Sequence, residues 1–70
     1  MVGFAIWHDD CCIHEETGFD AENVQDLYDD VRSWWDGEED GFDGEINSED
    51  VIVKLFCGDE EQELTMDDLL

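Results

Sequence analysis

In a chain of 70 residues, 23 Asp and Glu side chains stand against two Lys and Arg, leaving a net charge of −21. Any compact state must form against that self-repulsion, which favours solubility and separate molecules and opposes compactness. Apolar content decides whether it can form at all. Leu, Ile, Val and Phe make up 18 of the 70 residues, or 26%, above the roughly 20% under which highly charged chains stay disordered. A folded domain is expected, and the length allows one core, with about 60% of the unfolded surface buried. No proline and no internal repeat divides residues 1–70, which are read as a single acidic domain. A deep cleft for a large substrate does not fit in it.

The charge also limits partners. Nucleic acid and anionic membranes recruit Lys and Arg clusters, and Arg32 and Lys54 cannot make one. Direct nucleic-acid binding and membrane binding are therefore not expected; the expected partner is a basic protein surface of the kind that holds phosphates. Met1-Val2-Gly3-Phe4 offers no basic leader, and the apolar run Met1 to Trp7 is far too short to span a bilayer. Three cysteines, two of them adjacent at Cys11 and Cys12, do not form the even, spaced framework of a secreted disulfide domain. The expectation is a cytoplasmic protein with reduced thiols, in the host cytoplasm if phage-encoded.

Gly3 to Trp7 has strand composition, and Asp9-Asp10 makes a two-residue turn into Cys11 to Glu15. Asp20 is placed as the N-cap of a helix running to about Trp35, with Val24, Leu27, Tyr28, Val31, Trp34 and Trp35 along one stripe and Gly37 as the terminating glycine. Residues 36–45 hold three glycines among six acids, an acidic loop with Phe42 as its aromatic anchor. Val51 to Cys57 is β-branched and apolar, and Gly58-Asp59-Glu60 leads into a last strand over Gln62 to Met66, with Asp67 to Leu70 fraying. The sum is an α+β fold, β-β-α-β-β, a small antiparallel sheet with one amphipathic helix on one face.

On a helical wheel the side opposite the apolar stripe carries Glu22, Asp26, Asp29, Ser33 and Asp36, with Asp30 beside them. Like charges at these spacings cost about 0.2–0.5 kcal/mol per pair, and acids near a helix C-terminus oppose its dipole. Stability alone would favour some lysines here. The row continues into the loop through Glu38, Glu39, Asp40, Asp43 and Glu45. A globule of this length has a diameter of roughly 28 Å, over which duplex DNA carries roughly 17 charges, so the protein matches the charge density of nucleic acid.

In size, charge and the pairing of an acidic helix with an acidic loop over Glu22 to Glu45, the chain resembles the small acidic nucleic-acid mimics with which phages and mobile elements block restriction enzymes, CRISPR complexes and other DNA-binding proteins. The resemblance implies an anti-restriction or anti-CRISPR type of inhibitor, a DNA mimic acting by protein–protein interaction in a basic DNA- or RNA-binding groove. The helix and loop acids would be its partner-binding surface. It implies no catalysis and no cofactor.

Two alternatives stand beside this. Residues 36–50 resemble part of an EF-hand loop, with Gly44 and Ile46 at the glycine and apolar positions. That register, however, puts Glu39, Gly41 and Asp50 where Asp, a ligand and a bidentate Glu belong. Starting instead at Asp36 orders Asp36, Glu38, Asp40 and Gly41 correctly but leaves Asn47 at the twelfth position. Halophilic adaptation of an ordinary small domain would explain the acidity without a partner.

His8, Cys11, Cys12, His14 and Cys57 are zinc-ligand types. An Asp9-Asp10 turn, however, sets His8 and Cys11 on the face of Phe4 and Ile6, and Cys12 and His14 on the face of Ala5 and Trp7. No metal site is assigned; these residues are read as buried thiols and surface histidines. Cys12 and His14 would share a face, but a negative field disfavours a thiolate nucleophile, and no enzyme activity is expected. Trp34 and Trp35 are assigned to the core, while an exposed aromatic among acids, Phe42 foremost, would anchor a partner.

Overall fold

The structure, a computed structural model, describes residues 1–38 and 46–70. It has the expected β-β-α-β-β order: β1 (Val2–His8), β2 (Cys11–Thr17), α1 (Tyr28–Glu38), β3 (Val51–Cys57) and β4 (Glu60–Thr65), with a closing helical turn, α2 (Met66–Leu69). The sheet order is β2-β1-β3-β4 and every neighbouring pair is antiparallel. Each hairpin closes with two residues. Asp9 and Asp10 sit at φ 51° and 63°, the left-handed conformation that a type I′ turn requires at both central positions and that Asp tolerates better than most residues. In the other turn Gly58 alone takes positive φ, 62°, the requirement of a type II′ turn at its first position.

Phe4 and Ile6 of β1 and Val51, Val53 and Leu55 of β3 point to one side of the sheet and are buried against Val24, Leu27, Val31 and Trp35. Full burial of side chains this size contributes about 1.5–3 kcal/mol each. Phe19 stacks on Phe4 at 5.5 Å between centroids and completes this layer.

The helix starts later than Asp20. Gly18 and Phe19 donate their N–H groups to the Val2 carbonyl at 3.0 and 3.2 Å, which keeps the chain beside β1 and delays the turn. Asn23, extended at φ −154°, is the actual cap, its Oδ1 accepting the Asp26 N–H at 3.1 Å. A 3-10 segment over Val24–Leu27 leads into α1. Glu60 Oε1 accepts the Val24 N–H at 2.8 Å, and the Tyr28 hydroxyl donates to Gln62 Oε1 at 2.7 Å, fastening the helix entry to β4. Further along, Trp34 stacks on His14 of β2 at 4.7 Å, so the helix crosses the sheet from one edge to the other. Gly37 does not end the helix, which continues to Glu38.

The chain end does not fray either. Thr65 and Asp68 form a reciprocal capping box, and α2 buries Met66 and Leu69. Both hydrogen bonds of the box are made over one turn, while the two apolar side chains supply the burial that holds it in place.

Candidate functional site

The β1–β2 pairing departs from simple alternation, with consequences for the titratable residues. Trp7 pairs with Cys12, as a two-residue turn requires, but Ile6 pairs with His14, so Ile13 is bulged out of register. A single extra residue flips every side chain beyond it to the other face. His14 therefore lies on the helix side, against Trp34 and 6.0 Å from Phe4 by ring centroids, and no longer shares a face with Cys12. His8 faces the same side, two residues along β1 from Ile6. Both histidines are part-covered, their ring nitrogens 3.6 Å from Asp9 and Glu16 respectively, whereas Cys11 and Cys12 are exposed and Cys57 is half-buried with its Sγ against the Ala21 carbonyl. Buried thiols and surface histidines are thus nearly reversed. Among the described residues no three His, Cys, Asp or Glu side chains group as a metal site.

The expected acidic row divides in two. Glu22 precedes the Asn23 cap and Asp26 lies in the 3-10 segment, where three residues complete a turn instead of 3.6. Asp26 turns its carboxylate back to accept the Glu22 N–H at 3.2 Å. Asp29, Asp30, Asp36 and Glu38 ride on α1, all exposed. Over the seven residues from Asp29 to Asp36 they cover about 10 Å of helix axis. The loop acids Glu39, Asp40, Asp43 and Glu45, and the expected anchor Phe42, lie outside the described residues, as do residues 39–45 of the EF-hand-like segment.

Acidity is not confined to the helix and loop. Apart from those four loop acids, each of the other 19 of the 23 acids is exposed, and no charged residue is buried among the described residues. Burying a carboxylate without a partner is costly, so a chain with two cations must place its acids outside. Both cations are already engaged: Arg32 Nη1 bonds Asp29 Oδ1 at 2.9 Å, and Lys54 Nζ lies 4.0 Å from Glu63 Oε1 and 4.7 Å from the Trp7 ring centroid. Exposed pairs of this kind are worth about 0–1 kcal/mol and leave the wider field negative. The body measures 34 × 22 × 19 Å across its Cα atoms.

Sequence reasoning overlooked the second face of the sheet. No helix covers it. Ala5 and Trp7 of β1, Ile52, Lys54 and Phe56 of β3 and Glu61, Glu63 and Thr65 of β4 point to this side by register, beside Glu15 of β2. Trp7, Ile52 and Phe56 are half-exposed, and a shallow groove of about 560 Å³ runs between Trp7, Glu15, Lys54, Phe56 and Glu61. The signal was present in β3, where Val51-Ile52-Val53 and Leu55-Phe56 are apolar on both sides of the pleat, although the sequence predicts a single amphipathic helix to cover them.

No helix among the described residues is long and apolar enough to cross a membrane. The chain matches no family model, no curated protein and no solved structure.

Proposed function

We propose that the protein is a nucleic-acid mimic, a stoichiometric inhibitor that acts in the cytoplasm by filling the basic DNA- or RNA-binding groove of another protein, such as a CRISPR or restriction complex. One observation carries the reading: 21 net negative charges are displayed on a body 34 Å long, a length over which duplex DNA displays about 20. Stability gains nothing from this display, since surface cations would relieve repulsion at no cost to the core. A basic groove gains a great deal from it, through fast, steered association that weakens with salt. Because the acids surround the body, the surface can meet a groove on several sides at once, as a phosphate backbone does. No catalytic step is required.

The test is capture of partners from a bacterial lysate at about 0.1 M salt, where the Debye length is near 10 Å, followed by competition. The expected partner is a basic nucleic-acid-binding protein that salt releases and whose own DNA or RNA the acidic protein displaces. Reversing Asp30→Lys together with Asp36→Lys, two helix acids without a bond among the described residues, is expected to weaken displacement by about tenfold or more while leaving the fold intact. A captured protein whose nucleic acid is not displaced would overturn the reading. A chain that unfolds at this salt and folds only with calcium or in molar salt would return the weight to the calcium or halophile alternative.

A further inference from the structure

We infer that the uncovered face of the sheet is an arginine-docking surface, in which Trp7 receives the guanidinium of a basic partner protein and Lys54 occupies that position until the partner arrives. The inference rests on the mimicry reading and adds where the partner makes its short-range contact and through which chemistry.

Three features of the face lead to it. It is apolar at its centre and acidic at its rim: Trp7, Ile52 and Phe56 lie between Glu15 on one side and Glu61 and Glu63 on the other. A half-buried apolar centre within an acid rim is complementary to an apolar or cationic group set in a basic surface, the usual composition of an interface hot spot and its surround. The same face shows the contact it is suited to. Lys54 Nζ stands 4.7 Å from the Trp7 centroid with Glu63 Oε1 4.0 Å away, a cation held between an aromatic ring and a carboxylate. Finally, a second groove of about 360 Å³ continues past Trp7, Lys54 and Glu63 to Asp9, Asp10 and Asp50, so Lys54 stands at the junction of two acid-lined channels.

The occupant follows from charge and shape. A second copy of this chain is excluded because it brings 21 further negative charges to an already acidic rim. Arginine is favoured over lysine because its planar, weakly hydrated guanidinium stacks on a ring and forks onto carboxylates simultaneously, whereas an ammonium is a hydrated point charge. Proteins that bind nucleic acid carry such arginines for phosphates and base faces. Here Trp7 and Phe56 offer the flat surface that a base would, and Glu15, Glu61 and Glu63 offer charge in place of phosphate. Lys54, held at an exposed site by contacts of modest strength, gives way to the stronger ligand.

The experiment is a two-dimensional NMR titration of the full chain with oligoarginine and oligolysine peptides of equal length at about 0.1 M salt. Expected are shifts of the Trp7 indole N–H and the Phe56 amide with oligoarginine, larger than with oligolysine. Lys54→Gln should tighten oligoarginine binding by about two- to fivefold more than Arg32→Gln, which alters net charge equally but lies on the helix. Trp7→Ala, with amide dispersion confirming its fold, should abolish the preference for arginine. Equal effects of Lys54→Gln and Arg32→Gln, or shifts confined to Asp29, Asp30 and Asp36, overturn this inference and leave mimicry standing. Failure of both peptides to bind overturns mimicry as well.

Discussion

The two faces of the sheet are made by the same strands and differ in almost everything else. On the covered side Phe4, Ile6, Val51, Val53 and Leu55 are between 0% and 1% exposed and belong to one apolar cluster. On the open side Trp7, Ile52 and Phe56 are each partly exposed and share the surface with Lys54 and a border of glutamates. Alternation along a strand divides side chains between two environments, and here the division separates what folds the chain from what is displayed. A small domain carrying this much repulsion needs an apolar centre on one side, with the acids of that side, Glu16 and Glu60, kept to the outer strands, and the other side is left for contact.

Substitutions that exchange the properties of the faces test this separation. Phe4→Ala removes a fully buried ring and is expected to cost about 3–5 kcal/mol, enough to unfold a domain of this size at low salt. Phe56→Ala, across the pleat, is expected to cost about 1 kcal/mol, and denaturant melts of the two variants measure the asymmetry directly. Equal losses would mean that the open side also stabilises the fold.

Gly3 belongs to the open side by register, yet it is buried, because β2 passes close by: a Cβ there would overlap the Glu16 carbonyl oxygen. Gly3→Ala is therefore expected to cost about 1–3 kcal/mol by forcing β1 and β2 apart, with loss of amide protection concentrated in β2. Protection lost evenly across the sheet would show that this close approach is not what the glycine serves. The smallest effect should come at the Asp9-Asp10 turn, which joins both faces. Asp10→Gly relieves a non-glycine residue from φ 63° and removes one charge, for an expected gain of about 0.5 kcal/mol in a thermal or urea melt.

Much of this architecture was legible in the sequence, for reasons that particular residues make plain. The two hairpins follow from turn residues between β-rich runs, although the second turn takes Gly58 and Asp59 alone and its strand runs from Glu60 to Thr65 instead of Gln62 to Met66, and the apolar stripe from Val24 to Trp35 predicts the helix that covers Phe4 and Ile6. Local signals failed where a distant partner decided the outcome. Asp20 is as good a cap as Asn23 by composition, but the Val2 carbonyl holds Gly18 and Phe19, and Glu60 receives the Val24 N–H. No local pattern marks the bulge at Ile13, so His14 moved to the opposite face from the one simple alternation assigns. At the chain end, Thr65 and Asp68 are spaced as a capping pair, but a single helical turn is held by the burial of Met66 and Leu69, which no local pattern shows. The acidic surface was legible as composition, the acids of both hairpins included, and the register adds which face of the sheet each one takes. The open face shows in the sequence only as the two-sided apolar pattern of β3, which does not say whether a second layer will cover Ile52 and Phe56.

The outer strands β2 and β4 have a consequence for how the chain behaves in quantity. Each ends the sheet with a row of backbone groups available to another strand, the usual starting point for fibril growth. Many proteins blunt such rows with proline or lysine; this chain has no proline, and its single lysine lies on an inner strand. Instead β2 carries Glu15 and Glu16, and β4 carries Glu60, Glu61 and Glu63, so an incoming copy meets like charge at several successive positions. These carboxylates are expected to keep concentrated solutions of the protein from polymerising strand to strand.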